Sequence, residues 1–210
     1  MKLATVGILA LAFGLSEPHG YLMDPLARTS LQLDGSYPYD PPYWWDNKGV
    51  WCDNVQQDLQ YSQCGRCGEA RGNGDASQGG IYDKGIVVKT YFSGSIVEMK
   101  AGLDNAHFGH FKIELCPQAV ETDGCFQTLP IVSASQPFGN DTVCIPFDNP
   151  APPNDIVTFR VQLPAGVTCT RCTIRWTYRT SYPAWAPGQG ECYNPNPAQT
   201  FRNCADITIY

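Results

Sequence analysis

Apolar and polar positions alternate with a period of two over several short stretches that begin near residue 85. Ile86-Val87-Val88-Lys89-Thr90-Tyr91 is rich in β-branched residues and ends near Gly94. Ile96 to Leu103 partly alternates, and Phe111-Lys112-Ile113-Glu114-Leu115 alternates cleanly. Thr142 to Phe147, Ile156 to Leu163, Thr173 to Tyr178 and Ile207 to Tyr210 are further strand segments, separated by Asp, Asn, Gly and Pro. An extended chain sends successive side chains to opposite faces, so such alternation marks strands with one face in a core. Val97, Met99, Ile113 and Leu115 are then expected inside, and Glu98, Lys100, Lys112 and Glu114 in solvent. No stretch carries a helical period. The pattern predicts an all-β fold, an immunoglobulin- or fibronectin-III-like antiparallel β-sandwich.

Residues 19–84 show little periodicity and are rich in Gly, Pro, Asp, Asn and Tyr. They predict a long N-terminal loop region with short strands or a helical turn, pinned by Cys52, Cys64 and Cys67. A loop region of that length is usually functional. No internal repeat or long linker divides the chain, which leaves one domain over 19–210.

The chain has 210 residues and ten cysteines. Residues 1–14 read as a secretory signal, with Lys2 followed by an apolar run from Leu3 to Leu15 that is too short to span a bilayer. An even cysteine count behind a signal predicts a secreted, extracellular protein stapled by five disulfides. The pairs Cys64-Gly65-Arg66-Cys67 and Cys169-Thr170-Arg171-Cys172 also fit zinc or thiol redox chemistry in isolation. They lie about a hundred residues apart, whereas zinc ribbons space such pairs by about fifteen to twenty. The net charge of −6 and the lack of a Lys/Arg cluster argue against a nucleic-acid partner. No second apolar stretch is long enough for a membrane span.

Only three histidines are present, His19, His107 and His110. If residues 1–18 are removed, His19 carries a free α-amine beside its imidazole and offers two nitrogen ligands. Ala12-Phe13-Gly14 and Gly14-Leu15-Ser16 suit a signal cleavage better than Pro18 does. A cut after Ser16 leaves Glu17-Pro18-His19, and removal of an X-Pro dipeptide then exposes His19. A further imidazole from His107 or His110, both at the entry to the strand Phe111 to Leu115, completes a three-nitrogen plane that suits copper. A hydrolase needs paired carboxylates or a nucleophile elbow, and the sequence marks out neither.

Six blocks in order carry a resemblance to a known family. They are His19-Gly20-Tyr21-Leu22, Arg66-Cys67-Gly68, Ala106 to Pro117, Gln162 to Cys169, Arg175-Trp176-Thr177-Tyr178-Arg179 and Thr200 to Tyr210. Together they resemble the lytic polysaccharide monooxygenases, most of all auxiliary-activity family fifteen, over nearly the whole chain from His19. The resemblance implies one copper ion per chain, held by the His19 amine, His19 Nδ1 and His107 Nε2. It places Tyr210 in the axial position and makes His19, His107 and Tyr210 the catalytic set, with His110 close by in a supporting role. The family often has Ala-Asn before its second histidine, where this chain has Asn105-Ala106.

The resemblance further implies oxidation of C1 or C4 in crystalline chitin or cellulose, an external electron donor, and O₂ or H₂O₂ as co-substrate. The expected protein is a monomer. Trp45 falls at the family's exposed aromatic position, and Tyr43 and Trp44 are further substrate-stacking residues, while Trp51 beside Cys52 is expected inside. Two other readings remain: a non-catalytic carbohydrate-binding sandwich, which has no use for a free His19, and a copper carrier, which needs no aromatic surface.

Overall fold

The alternation from residue 96 onward is realised as two packed β-sheets in the computed structural model, which describes residues 20–37, 40–44, 64–104, 108–146, 156–180 and 200–210. The strands are β1 (Tyr21–Asp24), β2 (Lys89–Tyr91), β3 (Ile96–Gly102), β4 (Gly109–Cys116), β5 (Gln127–Thr128), β6 (Ile131–Ala134), β7 (Val143–Ile145), β8 (Ile156–Gln162), β9 (Cys169–Thr180) and β10 (Thr200–Ile209). One sheet has the order β1-β3-β8-β6. The other runs β2-β10-β9-β4-β5, with β7 also paired to β4. All pairings are antiparallel except the β2–β10 edge pair. A six-residue 3-10 turn over Arg28–Leu33 is the sole helical element among the described residues.

The core forms where the inner faces meet. Val97, Met99 and Ala101 of β3 and Val157, Phe159 and Val161 of β8 face Phe111, Ile113 and Leu115 of β4 and Ile174, Trp176 and Tyr178 of β9. The Phe111 and Phe159 rings join the sheets at 5.0 Å. Dispersion and loss of apolar surface from water make this layer the main source of stability.

Glu114 departs from its expected exposure. It is buried on the outer face of β4 and bonded to Lys112 Nζ at 2.9 Å and Arg175 Nε at 2.8 Å. The Arg175 guanidinium lies 3.8 Å from the centre of the Phe126 ring, which helps to cover this face. Burial acts to raise the Glu114 pKa, but Arg175 and Lys112 outweigh it and hold the carboxyl below its ordinary value. The periodicity also missed β1, β5 and β6, which are four residues or shorter. It started the last strand seven residues late.

Disulfides join Cys67 to Cys204, Cys116 to Cys125 and Cys169 to Cys172. Cys64 and Cys144 are also disulfide-bonded, and no described cysteine is free. The two CxxC pairs therefore share no ion: one closes on itself and the other sends Cys67 to β10. The Cys67–Cys204 bridge spans 137 positions. In the chain-entropy account a loop of that length contributes about 5 kcal/mol by restricting the unfolded chain.

Asn140 of the acceptor triplet Asn140-Asp141-Thr142 is exposed in the turn before β7. The turn is closed by the Gly139 N–H donating to the Thr142 carbonyl at 2.8 Å. We expect one N-linked glycan there in protein from a eukaryotic host. A mass unchanged by glycosidase treatment would exclude it. Among the described residues no helix is long and apolar enough to cross a membrane.

Candidate metal centre

His19, His107 and Trp45 lie outside the described residues, as does Trp51; Gly20 and Phe108, next to the two histidines in sequence, are described. Gly20 is buried at the start of β1. A Cβ on it would lie 3.0 Å from Leu103 Cδ2 and 3.0 Å from Trp176 Cη2. A side chain here would need Leu103 and the indole to give way by a few tenths of an ångström, so glycine is the residue that fits without adjustment. Tyr21 then pairs with Gly102 and Leu22 with Ala101, so residue 19 precedes Gly20 at the end of β3.

His107 immediately precedes Phe108, at the start of β4. Gly109 pairs with Thr180 and Ile145, and a Cβ there would run into the Arg179 carbonyl oxygen. This close approach explains the glycine and lets β4 begin directly against the end of β9. Thr200 opens β10 opposite Arg179. Gly20, Phe108, Thr180 and Thr200 therefore belong to the same end of the sandwich. The aromatic side chains on its core side are Trp176, Tyr178 and Phe201, buried and in succession at ring separations of 5.8 and 6.1 Å.

Tyr210 does not belong to this end. Ile207 pairs with Cys172 and Ile209 with Cys169, at the opposite end of β9 from Thr180. Ten extended residues put Tyr210 about 30 Å along the strand from Thr200. It is 67% exposed, its N–H donates to the Tyr91 carbonyl, and its carbonyl accepts from Ser93. Its assignment as an axial residue is therefore corrected. The error came from treating the last strand as a short segment, which hid that its first residues lie beside the start of β4. Register instead brings Phe201 to that end, from the same sequence block.

His110 is half-buried and paired in register with Arg179 and Cys144. On β4 it alternates with the core residue Phe111, so it shares the outer face with Lys112 and Glu114, where it makes contacts of its own. Trp44 is half-buried rather than displayed. Its ring meets Tyr82 edge-on at 5.3 Å, its carbonyl accepts from Gln32 Nε2 at 3.1 Å, and its indole N–H is buried. Tyr43 is also half-buried, with its hydroxyl accepting from the Asp40 N–H at 2.5 Å.

The chain after β1 is fastened to the outer side of β10 by a buried ion network that sequence reading did not find. Arg28 grips Asp206 with two bonds of 2.8 and 2.6 Å, reaches Glu121 at 3.0 Å, and donates to Thr173 Oγ1 at 3.1 Å. Arg171 joins Asp206 at 3.1 Å and also pairs with Asp83. Burial acts to lower the Arg28 pKa, but Asp206, Glu121 and Asp83 outweigh it and hold the guanidinium above its ordinary value. For Asp83 burial acts upward, yet the Gly79 and Gly85 N–H groups and the two arginines hold its carboxyl below the usual range. The residues are far apart in sequence and none shows a motif spacing.

Among the described residues one group has metal-ligand types within reach of each other, Cys67, Glu121 and Cys204. Both sulfurs are consumed in a disulfide, so this is no metal site. His19 and His107 supply amine and imidazole nitrogens from outside the described residues. That donor chemistry fits copper.

The sequence model of the family described as "Lytic polysaccharide mono-oxygenase, cellulose-degrading" matches residues 19–207. Among solved structures, an AA15 lytic polysaccharide monooxygenase from Thermobia domestica in the Cu(I) state is similar at 30% identity and a TM-score of 0.72. The match covers 91% of this chain and 98% of that one. The cellulose-active enzyme CelS2 in complex with copper shares the fold at 18% identity and TM-score 0.50, over 90% of this chain and 98% of that one. A chitin-binding domain from Burkholderia pseudomallei shares it at 9% identity and TM-score 0.51, over 92% and 100%. No curated protein matches the chain.

Proposed function

The chain belongs to the lytic polysaccharide monooxygenase family, and from that premise we propose that His19 and His107 hold its copper and that the substrate is crystalline chitin or cellulose. As a family member it is a copper-dependent oxidoreductase that cleaves polysaccharide oxidatively, with an external electron donor and O₂ or H₂O₂. The observation that carries the proposed ligand set is the seat of Gly20 against Leu103 and Trp176. It puts the start of β1 at the same end from which Phe108 and Gly109 enter β4.

The His19 amine must be free and unprotonated to bind, because an acylated nitrogen is a poor donor. Copper, when bound, supplies the redox chemistry that removes hydrogen from C1 or C4 of a sugar. The chain's residues do the rest. His19 and His107 fix the ion at an open end, which suits a flat polymer surface that no pocket could admit. Trp176, Tyr178 and Phe201 exclude water from the core side, and Phe201 rather than Tyr210 is the last-strand aromatic at this end. The protein acts outside the cell as a monomer after removal of residues 1–18.

Intact mass of secreted protein tests the reading at its base. The expected chain starts at His19, binds one copper, and releases oxidised oligosaccharides from chitin or cellulose, with C1 or C4 read by mass spectrometry. Active enzyme starting at Leu15 or Glu17 would sink the proposed ligand set.

Trp45→Ala tests the substrate surface. Losing one aromatic–sugar contact should weaken polysaccharide binding by about 1 kcal/mol, or roughly fivefold. Copper affinity should not change, and self-inactivation should rise because the reduced site then turns over without substrate. Normal polysaccharide binding with lost stability would place Trp45 in the core.

A further inference from the structure

β1 carries the first residues after His19, and it is tied to the other sheet by a buried hydrogen bond at Leu22 and an exposed Asp24–Lys89 ion pair of 3.1 Å. The N–H of Leu22 donates to Asn203 Oδ1 at 2.8 Å, across 181 positions of sequence. Leu22 belongs to the four-stranded sheet and Asn203 to β10 of the other sheet. Asn203 is fully buried, and its register partner is Trp176, also fully buried. Directly opposed residues in an antiparallel pair share a face. The indole therefore lies beside the amide, and its edge at Cη2, together with Leu103 Cδ2, limits how close Gly20 can come.

A polar residue on this face needs explaining. Its neighbours along β10, Phe201, Ala205 and Ile207, are all apolar core residues. Burying an amide costs free energy unless it is hydrogen-bonded. Asn203 makes its bond to Leu22 and leaves Nδ2 without a partner, as Trp176 leaves Nε1. Asn203 thus adds little to packing that a leucine would not. What it adds is a fixed point for β1, three residues from the proposed metal ligand.

We propose that Asn203 and Trp176 are positioning residues for the copper-binding terminus. The amide oxygen of Asn203 sets the height of β1 over β10, and the Trp176 edge sets the depth of Gly20. Together they fix the direction in which the backbone of residue 19 leaves the sandwich, and with it the placement of the His19 amine. Neither residue touches the metal. The inference rests on the proposed role of His19.

The test compares wild type with Asn203→Leu, Gly20→Ala and a control, Ile209→Ala, in full-length mature protein. Asn203→Leu keeps the volume and removes the acceptor. Gly20→Ala pushes a methyl group against Leu103 and Trp176 from the other side. Ile209 is a core residue at the far end of β10. The readouts are copper affinity by titration, the Cu(II) electron paramagnetic resonance spectrum, and the melting temperature of the metal-free protein. Supporting residues around a metal site typically change affinity by about 10–100-fold when lost. A loss in that range and a changed Cu(II) spectrum are expected for both Asn203→Leu and Gly20→Ala. Ile209→Ala should melt earlier and keep wild-type affinity and spectrum. Should Asn203→Leu fail to fold, Gly20→Ala decides the matter alone. Wild-type affinity and spectrum in Gly20→Ala, or an equal loss in Ile209→Ala, overturns the proposal while the His19 reading stands. Wild-type protein that binds no copper overturns both.

Discussion

Replacing His107 by alanine is expected to abolish tight copper binding, while replacing His110 leaves it largely intact. The two imidazoles are three residues apart, so sequence distance does not separate them. Strand alternation does. Gly109 sits where a side chain would strike the Arg179 carbonyl, and Phe111 enters the core. His110 alternates with these and shares the outer face with Lys112 and Glu114. His107 precedes Phe108 at the end where Gly20 is seated. Losing one of three nitrogen donors leaves a two-nitrogen residue at His19, so affinity should fall by several orders of magnitude, on the order of 4 kcal/mol or more, against the roughly 1–2 kcal/mol that a neighbouring supporting group contributes. Copper titration of the two variants decides it. Retained affinity in His107→Ala with loss in His110→Ala would reverse the assignment.

Arg28→Ala should be the most destabilising single change on the outer side of the six-stranded sheet. Arg28 is 4% exposed and faces Asp206 at 1% and Glu121 at 5%. Removing one partner of a buried pair leaves the other charge without its compensation, which typically costs about 3–5 kcal/mol. Arg171 still reaches Asp206 and Arg66 still reaches Glu121 at 3.4 Å, so the lower part of that range is expected. For a domain of this size the melting temperature should drop on the order of 10 °C. Arg28→Ala with Asp206→Asn should recover part of the loss, because the uncompensated charge is then gone. A loss under about 1 kcal/mol would show that the network is hydrated and weak.

Two ion clusters set a pH dependence, this network through Asp83 and the separate cluster of Glu114 with Arg175 and Lys112. The carboxyls of Asp83 and Glu114 are held below their ordinary values in the folded protein. A group with a depressed folded pKa binds its proton more readily when unfolded, so stability falls as the pH drops. Their contribution is complete above the ordinary carboxylate range and is lost as pH falls through the folded values.

Much of this was legible along the chain because it depends on neighbours two residues apart. Alternation located β3, β4, β8 and much of β9, and it assigned Val97, Met99, Ile113 and Leu115 to the core. The burial of Glu114 was hidden because it depends on Arg175 and Phe126, far along the chain. Strand β1 was hidden because four residues hold too little periodicity. The reading of Tyr210 failed where local pattern had nothing to say. Alternation over Ile207 to Tyr210 is real, but it carries no information on which way the strand runs against its neighbour.

By itself, the sequence determined the two-sheet class and the oxidised cysteines, since each follows from residue type and short-range spacing. Tertiary structure alone decided register. Pairing Thr200 with Arg179 sends Tyr210 away from the start of β4 and brings Phe201 toward it. It also sets Asn203 beside Trp176 and joins Arg28 to Asp206 across 178 positions. These contacts arise from the closure of two sheets over a shared core. No local preference encodes them, because they cost chain entropy that only the assembled fold repays.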